Sequence, residues 1–271
     1  MWPLLQLMLT RCFDKPLTAE RLFAWHASVF PDGRSGSRQF GPGAWCDDSA
    51  GAGETATFVP GEGLFLFTPP PAGRHQWEME GYLDWFNSGA PLDPVLKAGL
   101  VHLGFVAIHP FDAGTGLIAR AITDLALARS GNNPRRFYSM SAQIGLERND
   151  YFSMLDKTLQ GTMAITPWLE WFLGCLDRAI DGAQITLKTV LAKVQFWQAH
   201  AAQAINYRQR RMLNHLLDYA NAKFPTSKYA RFAKCSHDTA LRDIQSFVER
   251  GSLVRNSKGG RSTGYSLGPL G

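Results

Sequence analysis

Twelve residues carry most of the chemistry legible in this 271-residue chain: HPFDAGTGLIAR, residues 109–120. A neutral histidine such as His109 accepts a proton from an attacking hydroxyl near neutral pH. Gly114 and Gly116 bracket Thr115, and glycines so spaced let backbone amides approach a phosphate closely. The apolar repeat that follows starts a helix at about Thr115, whose first N–H groups have no intrahelical acceptor and whose dipole favours an anion. Arg120, four residues after Gly116, reaches back toward that helix start. A base beside a phosphate cradle suits transfer of a phosphorus-centred group to a hydroxyl. A site of this kind is expected to hold a divalent cation on a carboxylate, yet Ala113 stands where the carboxylate would be, with Asp112 one residue early. The Gly-x-Gly spacing also brackets ordinary helix caps, and a histidine before proline also ends packed helices, so the spacing leaves both readings open.

The elements that must hold this turn are helical. PLDPVLKAGLVHLGFVAI runs straight into His109, and GTGLIARAITDLALARSG leaves it, apolar at Leu117, Ile118, Ala121, Ile122 and Leu125. PLTAERLFAWHASVF reads as an earlier helix with Thr18 as N-cap and Leu22, Trp25, His26 and Val29 inward. Residues 33–73 are rich in Gly, Pro, Ser and Asp, and within them TATFVPGEGLFLF, residues 55–67, predicts a β-hairpin. HQWEMEGYLDWFN, ERNDYFSMLDKTLQG, ITPWLEWFLGCLDRAIDG and a long stretch from Ala183 to about Ala202 complete a bundle. The opening MWPLLQLML has no basic leader and no small-residue cleavage site, and is expected to be a core helix rather than a signal peptide.

Composition sets outer bounds. The chain is 45% hydrophobic, with eight Trp and 17 Phe, enough apolar surface for one large core and a small second domain. Its four cysteines, Cys12, Cys46, Cys175 and Cys235, form no CxxC pair, and a reducing cytoplasm is the expected location. No apolar run reaches the roughly 18–20 residues of a membrane span. The net charge is +5, and from Pro225 onward eight basic residues against three acidic ones, 8 − 3 = +5, account for all of it. Such a segment suits a polyanion.

From about Asn206 the order is helix, short helix, turn, helix and two short strands around Lys258–Gly260. This is the order of a winged helix-turn-helix. Thr239, Arg242 and Ser246 are expected on the outward face of its third helix, with Lys258 and Arg261 on the wing, as DNA contacts. Leu241, Ile244 and Val248 are expected on the inward face, and Asp243 and Glu249 are expected to repel DNA. The domains expected are 1–205 and 206–271.

The residues from 109 to 120 resemble the signature of the Fic family, H-P-F-x-(D/E)-G-N-G-R-x-x-R, at His109, Pro110, Phe111, Gly114, Gly116 and Arg120. RFYSMSAQI, ITPWLEWFLGCLDRAI and the C-terminal tail resemble a branch in which a Fic core precedes a winged helix. The resemblance implies a mainly α fold: a Fic-type helical bundle with a β-hairpin flap at 55–67, then the small winged domain. It implies AMP transfer from ATP to a Ser, Thr or Tyr hydroxyl of a target protein. His109 would be the base, with Gly114, Thr115, Gly116 and Arg120 around the nucleotide phosphates, and the flap would align the target by strand pairing. Three positions depart from the signature: Ala113 for the metal-binding acid, Thr115 for Asn and Leu117 for Arg. Gly145 and Leu146 replace residues that are often basic in this branch. No match to the inhibitory (S/T)-x-x-x-E-(G/N) motif occurs. The expectation is therefore a weakened or altered transferase that holds Mg²⁺ poorly if at all, Asp112 and the Thr115 hydroxyl being the substitute ligands to consider. The alternative is an inactive regulator that binds nucleotide, DNA or protein. The expected partners are an unidentified target protein and DNA, with no membrane, and a homodimer is left open.

Overall fold

Asp93 shows how local sequence builds the helices that frame the signature. Its carboxylate accepts from the amides of Val95 and Leu96 at 2.8 and 3.1 Å, and Pro94 fills the first helical position. The resulting helix, Pro94–Ile108, is apolar nearly all round, as befits a helix buried on most sides. In this computed structural model the described residues are 13–35, 38–39, 41, 43–46, 55–59, 63–67, 69–133, 136–161, 164–201, 203–218, 224–256 and 264–268. The opening segment expected as a core helix lies outside them, as do Lys258 and Arg261.

The chain forms two compact units, residues 1–182 and 183–271. In the first, the order is α1 (Ala19–Val29), the short strands β1 (Arg34–Ser35) and β2 (Arg38–Gln39), β3 (Thr55–Val59), β4 (Gly63–Phe67), α2 (Ala72–Asn87), α3 (Pro94–Ile108), α4 (Thr115–Ser130), α5 (Met140–Leu146), α6 (Arg148–Leu159) and α7 (Thr166–Ala199). The α1 prediction is met residue for residue: Thr18 caps it and Leu22, Trp25, His26 and Val29 are buried. The expected hairpin is present as antiparallel β3–β4, from Thr55 opposite Phe67 to Val59 opposite Gly63. The small β1–β2 ladder was not foreseen, because two-residue strands leave no periodicity to read.

The core of this unit lies around α3 and α4. Val101, Phe105, Phe111, Ile118, Ala119, Ala121, Ile122 and Leu125 are fully buried. Gly99 lets α7 approach, since a Cβ there would lie 3.0 Å from both Leu169 and Phe172. The Trp168 indole N–H, on the same helix, donates to the Gly99 carbonyl at 2.9 Å. Among the described residues no helix is long and apolar enough to cross a membrane.

The second unit contains the end of α7, then α8 (Tyr207–Asp218), β5 (Phe224–Pro225), α9 (Thr226–Ala233), α10 (His237–Glu249), β6 (Leu253–Arg255) and β7 (Gly264–Leu267). Its strands form one antiparallel sheet in the order β5–β7–β6, the β5 edge being an addition to the two strands expected. The division at 182/183 comes before the expected 205/206 because Phe196, on α7, is buried in the second core with Met212, Leu216, Tyr229, Ile244 and Phe247.

The inward face of α10 differs from expectation. It is Ala240, Asp243, Ile244 and Phe247, while Leu241 and Val248 are 36% and 38% exposed. Asp243 turns inward because it is a hub. It accepts two bonds from Arg208, at 2.8 and 3.1 Å, one from Gln209 at 2.9 Å and one from the Tyr229 hydroxyl at 2.7 Å. Burial pushes its carboxyl up, and the bonds from Arg208, Tyr229 and Gln209 more than offset this, so it stays below the usual carboxylate range. The Asp243 carboxylate is thus enclosed by its three partners rather than turned to solvent.

Candidate nucleotide site

α3 ends at Ile108, and His109 takes a left-handed conformation (φ 51°, ψ 55°) as its C-cap, its amide donating to the Phe105 carbonyl at 3.1 Å. A non-glycine residue in this region stores roughly 1–2 kcal/mol, and such strain gathers at functional sites. The chain then dives: Pro110 and Phe111 are buried, and the Phe111 ring stacks on His26 at 4.2 Å and 7°. It re-emerges at Gly114, the N-cap of α4, with φ 79°. Glycine is needed there twice over, for its positive φ and because a Cβ would lie 2.5 Å from a Phe30 ring carbon.

His26 on α1 and Phe30, the C-cap of that helix, fix this turn, and of the two only the burial of His26 was foreseen. Gly43 N–H donates to His26 Nδ1 at 3.3 Å, so Nε2 carries the proton and donates to the Ala113 carbonyl at 3.1 Å. Burial lowers the His26 pKa, opposed by the Ala113 bond and by the charge of Asp112. Phe30 supplies the wall behind Gly114. An inward histidine on an apolar face gave no signal that it serves the loop. Opposite them, the Cys46 amide donates to the Pro110 carbonyl at 2.9 Å, and its thiol lies 3.1 Å from His75 Nδ1.

At the start of α4 the amides of Leu117 and Ile118 both bond the Gly114 carbonyl, leaving the Thr115 and Gly116 amides at the open end of the helix. The Arg120 guanidinium does reach back: its Nη1 would lie 3.6 Å from a Cβ on Gly116. Behind it is a buried ionic cluster. Arg136 pairs with Asp124 at 2.8 Å, and the Arg120 Nε and the Arg136 Nε and Nη1 are buried without a protein acceptor. Burial lowers the Arg120 pKa, opposed by Tyr151 and Asp124 and reinforced by Arg148. Burial also raises the Asp124 carboxyl, against Arg136 and Arg120. The spacing of Arg120 and Asp124, four apart on one helix, offered a sequence signal for half of this cluster, whereas Arg136 offered none.

The departures from the signature are also placed. Leu117 packs, half-buried, against the main core. Thr115 is buried and its hydroxyl donates to the Phe111 carbonyl at 3.1 Å, so it offers a ligand only its amide. Ala113 contributes a methyl group. Asp112 is half-buried, its charge opposing the fall in the His26 pKa. Among the described residues, no group of three or more His, Cys, Asp or Glu side chains is placed to hold a metal ion. Of the positions where the signature would supply a ligand, Ala113 has no donor side chain and the Thr115 hydroxyl is turned to the Phe111 carbonyl. Gly145 has open space around it and Leu146 is exposed, at the end of α5. Of the expected DNA contacts, Arg242 is exposed, whereas Thr239 and Ser246 are half-buried.

The Fic/DOC family profile matches residues 16–127. The protein adenylyltransferase fic-1 of Caenorhabditis elegans is 34% identical over 70 residues, 25% of this chain and 14% of its own length, and the Caenorhabditis briggsae protein of the same name matches equally. The aligned part thus spans about a seventh of these relatives. Among solved structures, a Fic family protein from Desulfovibrio desulfuricans G20 shares the fold at a TM-score of 0.54 and 18% identity, covering 96% of this chain and 72% of that one. The turn after His109 and the helices on either side of it lie within the matched segment: residues 16–127 match the Fic/DOC family, and the fold resembles that of a solved Fic family protein.

Proposed function

We propose that the first unit binds ATP by its phosphates and transfers AMP, slowly, to a hydroxyl on a protein. The observation that carries this is the retained cradle: the left-handed Gly114 turn, the open amides of Thr115 and Gly116, and the Arg120 guanidinium folded back beside Gly116. His109 takes the proton of the attacking Ser, Thr or Tyr hydroxyl. That oxygen bonds to the α-phosphorus, the bond to the bridging oxygen breaks, and pyrophosphate leaves on the amides and Arg120. The β3–β4 hairpin offers a strand edge on which the target segment is aligned.

The rate is expected to be low. Losing one preorganised charge-stabilising donor costs on the order of 10²–10³ in rate. Ala113 and Leu117 remove two such contributions, although these do not simply add. A second reading, a nucleotide-binding regulator without turnover, is favoured by Leu117, whose side chain serves the core.

Transfer of labelled AMP to proteins of a cell extract, with His109→Ala as control, separates the two readings. Transfer that the substitution abolishes supports the enzyme. Tight ATP binding in calorimetry with no transfer under any metal supports the regulator. No nucleotide binding at all overturns both.

A further inference from the structure

The second unit carries an outward surface that the AMP-transfer chemistry does not use. On α10 the buried residues are Ala240, Asp243, Ile244 and Phe247, so Leu241, Arg242 and Gln245 stand together on the exposed side. The helix before it, α9, buries Tyr229 and exposes Ser227, Lys228, Arg231 and Lys234, three cations at spacings of three along one face. Lys234 ends α9 in a left-handed conformation, and Ser236 then caps α10 by accepting from the Thr239 amide at 3.2 Å. This three-residue turn, Lys234 to Ser236, places Lys234 near the N-terminal end of α10, where the helix dipole adds to its charge.

Arg231, Lys234 and Arg242 form no ion pair among the described residues, and Lys228 lies over the Phe224 ring at 5.1 Å. The acid expected to oppose an anion, Asp243, is held inside by Arg208, Gln209 and Tyr229. Asp238, in the first turn, is the exposed acid on this end of α10, and Glu249 lies at the far end beside Arg250. Two packed helices joined by a tight turn, the second backed by a β5–β7–β6 sheet, form a platform that presents a helix to a groove.

We propose that this surface is a winged helix-turn-helix that binds duplex DNA, with α10 in the major groove, Arg242 and Gln245 facing base edges, and Lys228, Arg231 and Lys234 on phosphates. Arginine pairs with the O6 and N7 acceptors of guanine, and glutamine with the N6 and N7 of adenine. Gln245 is exposed beside Arg242, whereas the expected contacts Thr239 and Ser246 are half-buried.

The test uses the full chain, a labelled 20-base-pair duplex of random sequence and fluorescence anisotropy across a salt series, followed by selection from a randomised duplex pool. Three phosphate-facing cations predict a slope of log affinity on log salt of roughly −3. Arg231→Ala with Lys234→Ala is expected to reduce the slope by about two. Arg242→Ala is expected to weaken binding to the selected site about tenfold. Gln245→Ala is expected to leave the slope unchanged while erasing preference at one base position. All these residues are exposed, so an unchanged melting temperature will show the fold intact. Absence of binding at low salt, binding insensitive to salt, no effect of Arg242→Ala, or equal affinity for double-stranded RNA, whose deep groove excludes a helix, would each overturn the proposal.

Discussion

Gly114→Ala tests the seat most directly. The substitution adds one methyl group at a residue with φ 79°, where a side chain costs roughly 1–2 kcal/mol. The new Cβ would also start 2.5 Å from Phe30 Cε2 and 3.0 Å from Cζ. The ring must therefore shift by about an ångström against His26, and overpacking of this kind costs typically ~1–3 kcal/mol. The sum, about 2–5 kcal/mol, lowers the melting temperature of the first unit by roughly 4–20 °C at the slope usual for 150–250 residues. Adding Phe30→Ala removes the clash but leaves the φ cost, so the double-substituted protein is expected to be more stable than additivity predicts, by about 1–2 kcal/mol. Thermal melts of the four proteins give the cycle, and ATP titration of each follows the amides of Thr115 and Gly116, whose displacement is expected to weaken binding at least tenfold. A melting point for Gly114→Ala within one degree of the parent, or strict additivity in the cycle, would refute the reasoning that Phe30 closes the turn.

Other perturbations address other parts of the molecule. His102 is enclosed: Thr123 Oγ1, which donates to the Ala119 carbonyl, accepts from His102 Nδ1, and Tyr151 donates to Nε2, while burial, with Arg120, lowers its pKa to about 3. The unfolded chain binds this proton at about 6.5, so stability is complete above that pH and is lost progressively as pH falls toward 3; chemical denaturation at pH 7 and pH 4.5 is expected to differ by a few kcal/mol, less so for His102→Gln. Asp243→Ala leaves Arg208, Gln209 and Tyr229 without their shared acceptor and is expected to destabilise the second unit by about 3–5 kcal/mol in urea unfolding, with the first unit unaffected. Placing Asp at 113, Asn at 115 and Arg at 117 together is expected to produce Mg²⁺-dependent AMP transfer at least a hundredfold above the parent, read with labelled ATP; no gain would show that more than these positions was lost.

Much of the first unit was legible because its helices are long and their buried stripes regular. Leu22, Trp25, His26 and Val29 mark one face of α1, and Ile118, Ala121, Ile122 and Leu125 one face of α4. The signature showed where the helix-start amides and Arg120 would lie. It could not show that Thr115 turns its hydroxyl inward or that Leu117 joins the core, since direction around a helix start depends on what packs behind it. Nor could it show Arg136 closing on Asp124 behind Arg120, a contact set by tertiary packing. On α10 the apolar residues Leu241 and Val248 misled, because a buried aspartate held by three partners outweighed them in choosing the inward face.

His26 and Phe30 lie at the far end of α1, more than eighty residues from the loop they brace. The signature with its two flanking helices is thus not a self-sufficient module. A fragment opening after residue 30 would keep every residue of the 109–120 signature and lose the bracket that shapes it. Conversely, whatever occupies the loop should slow amide exchange along α1 as well as around the ligand, so that the first helix of the domain becomes a remote reporter of occupancy.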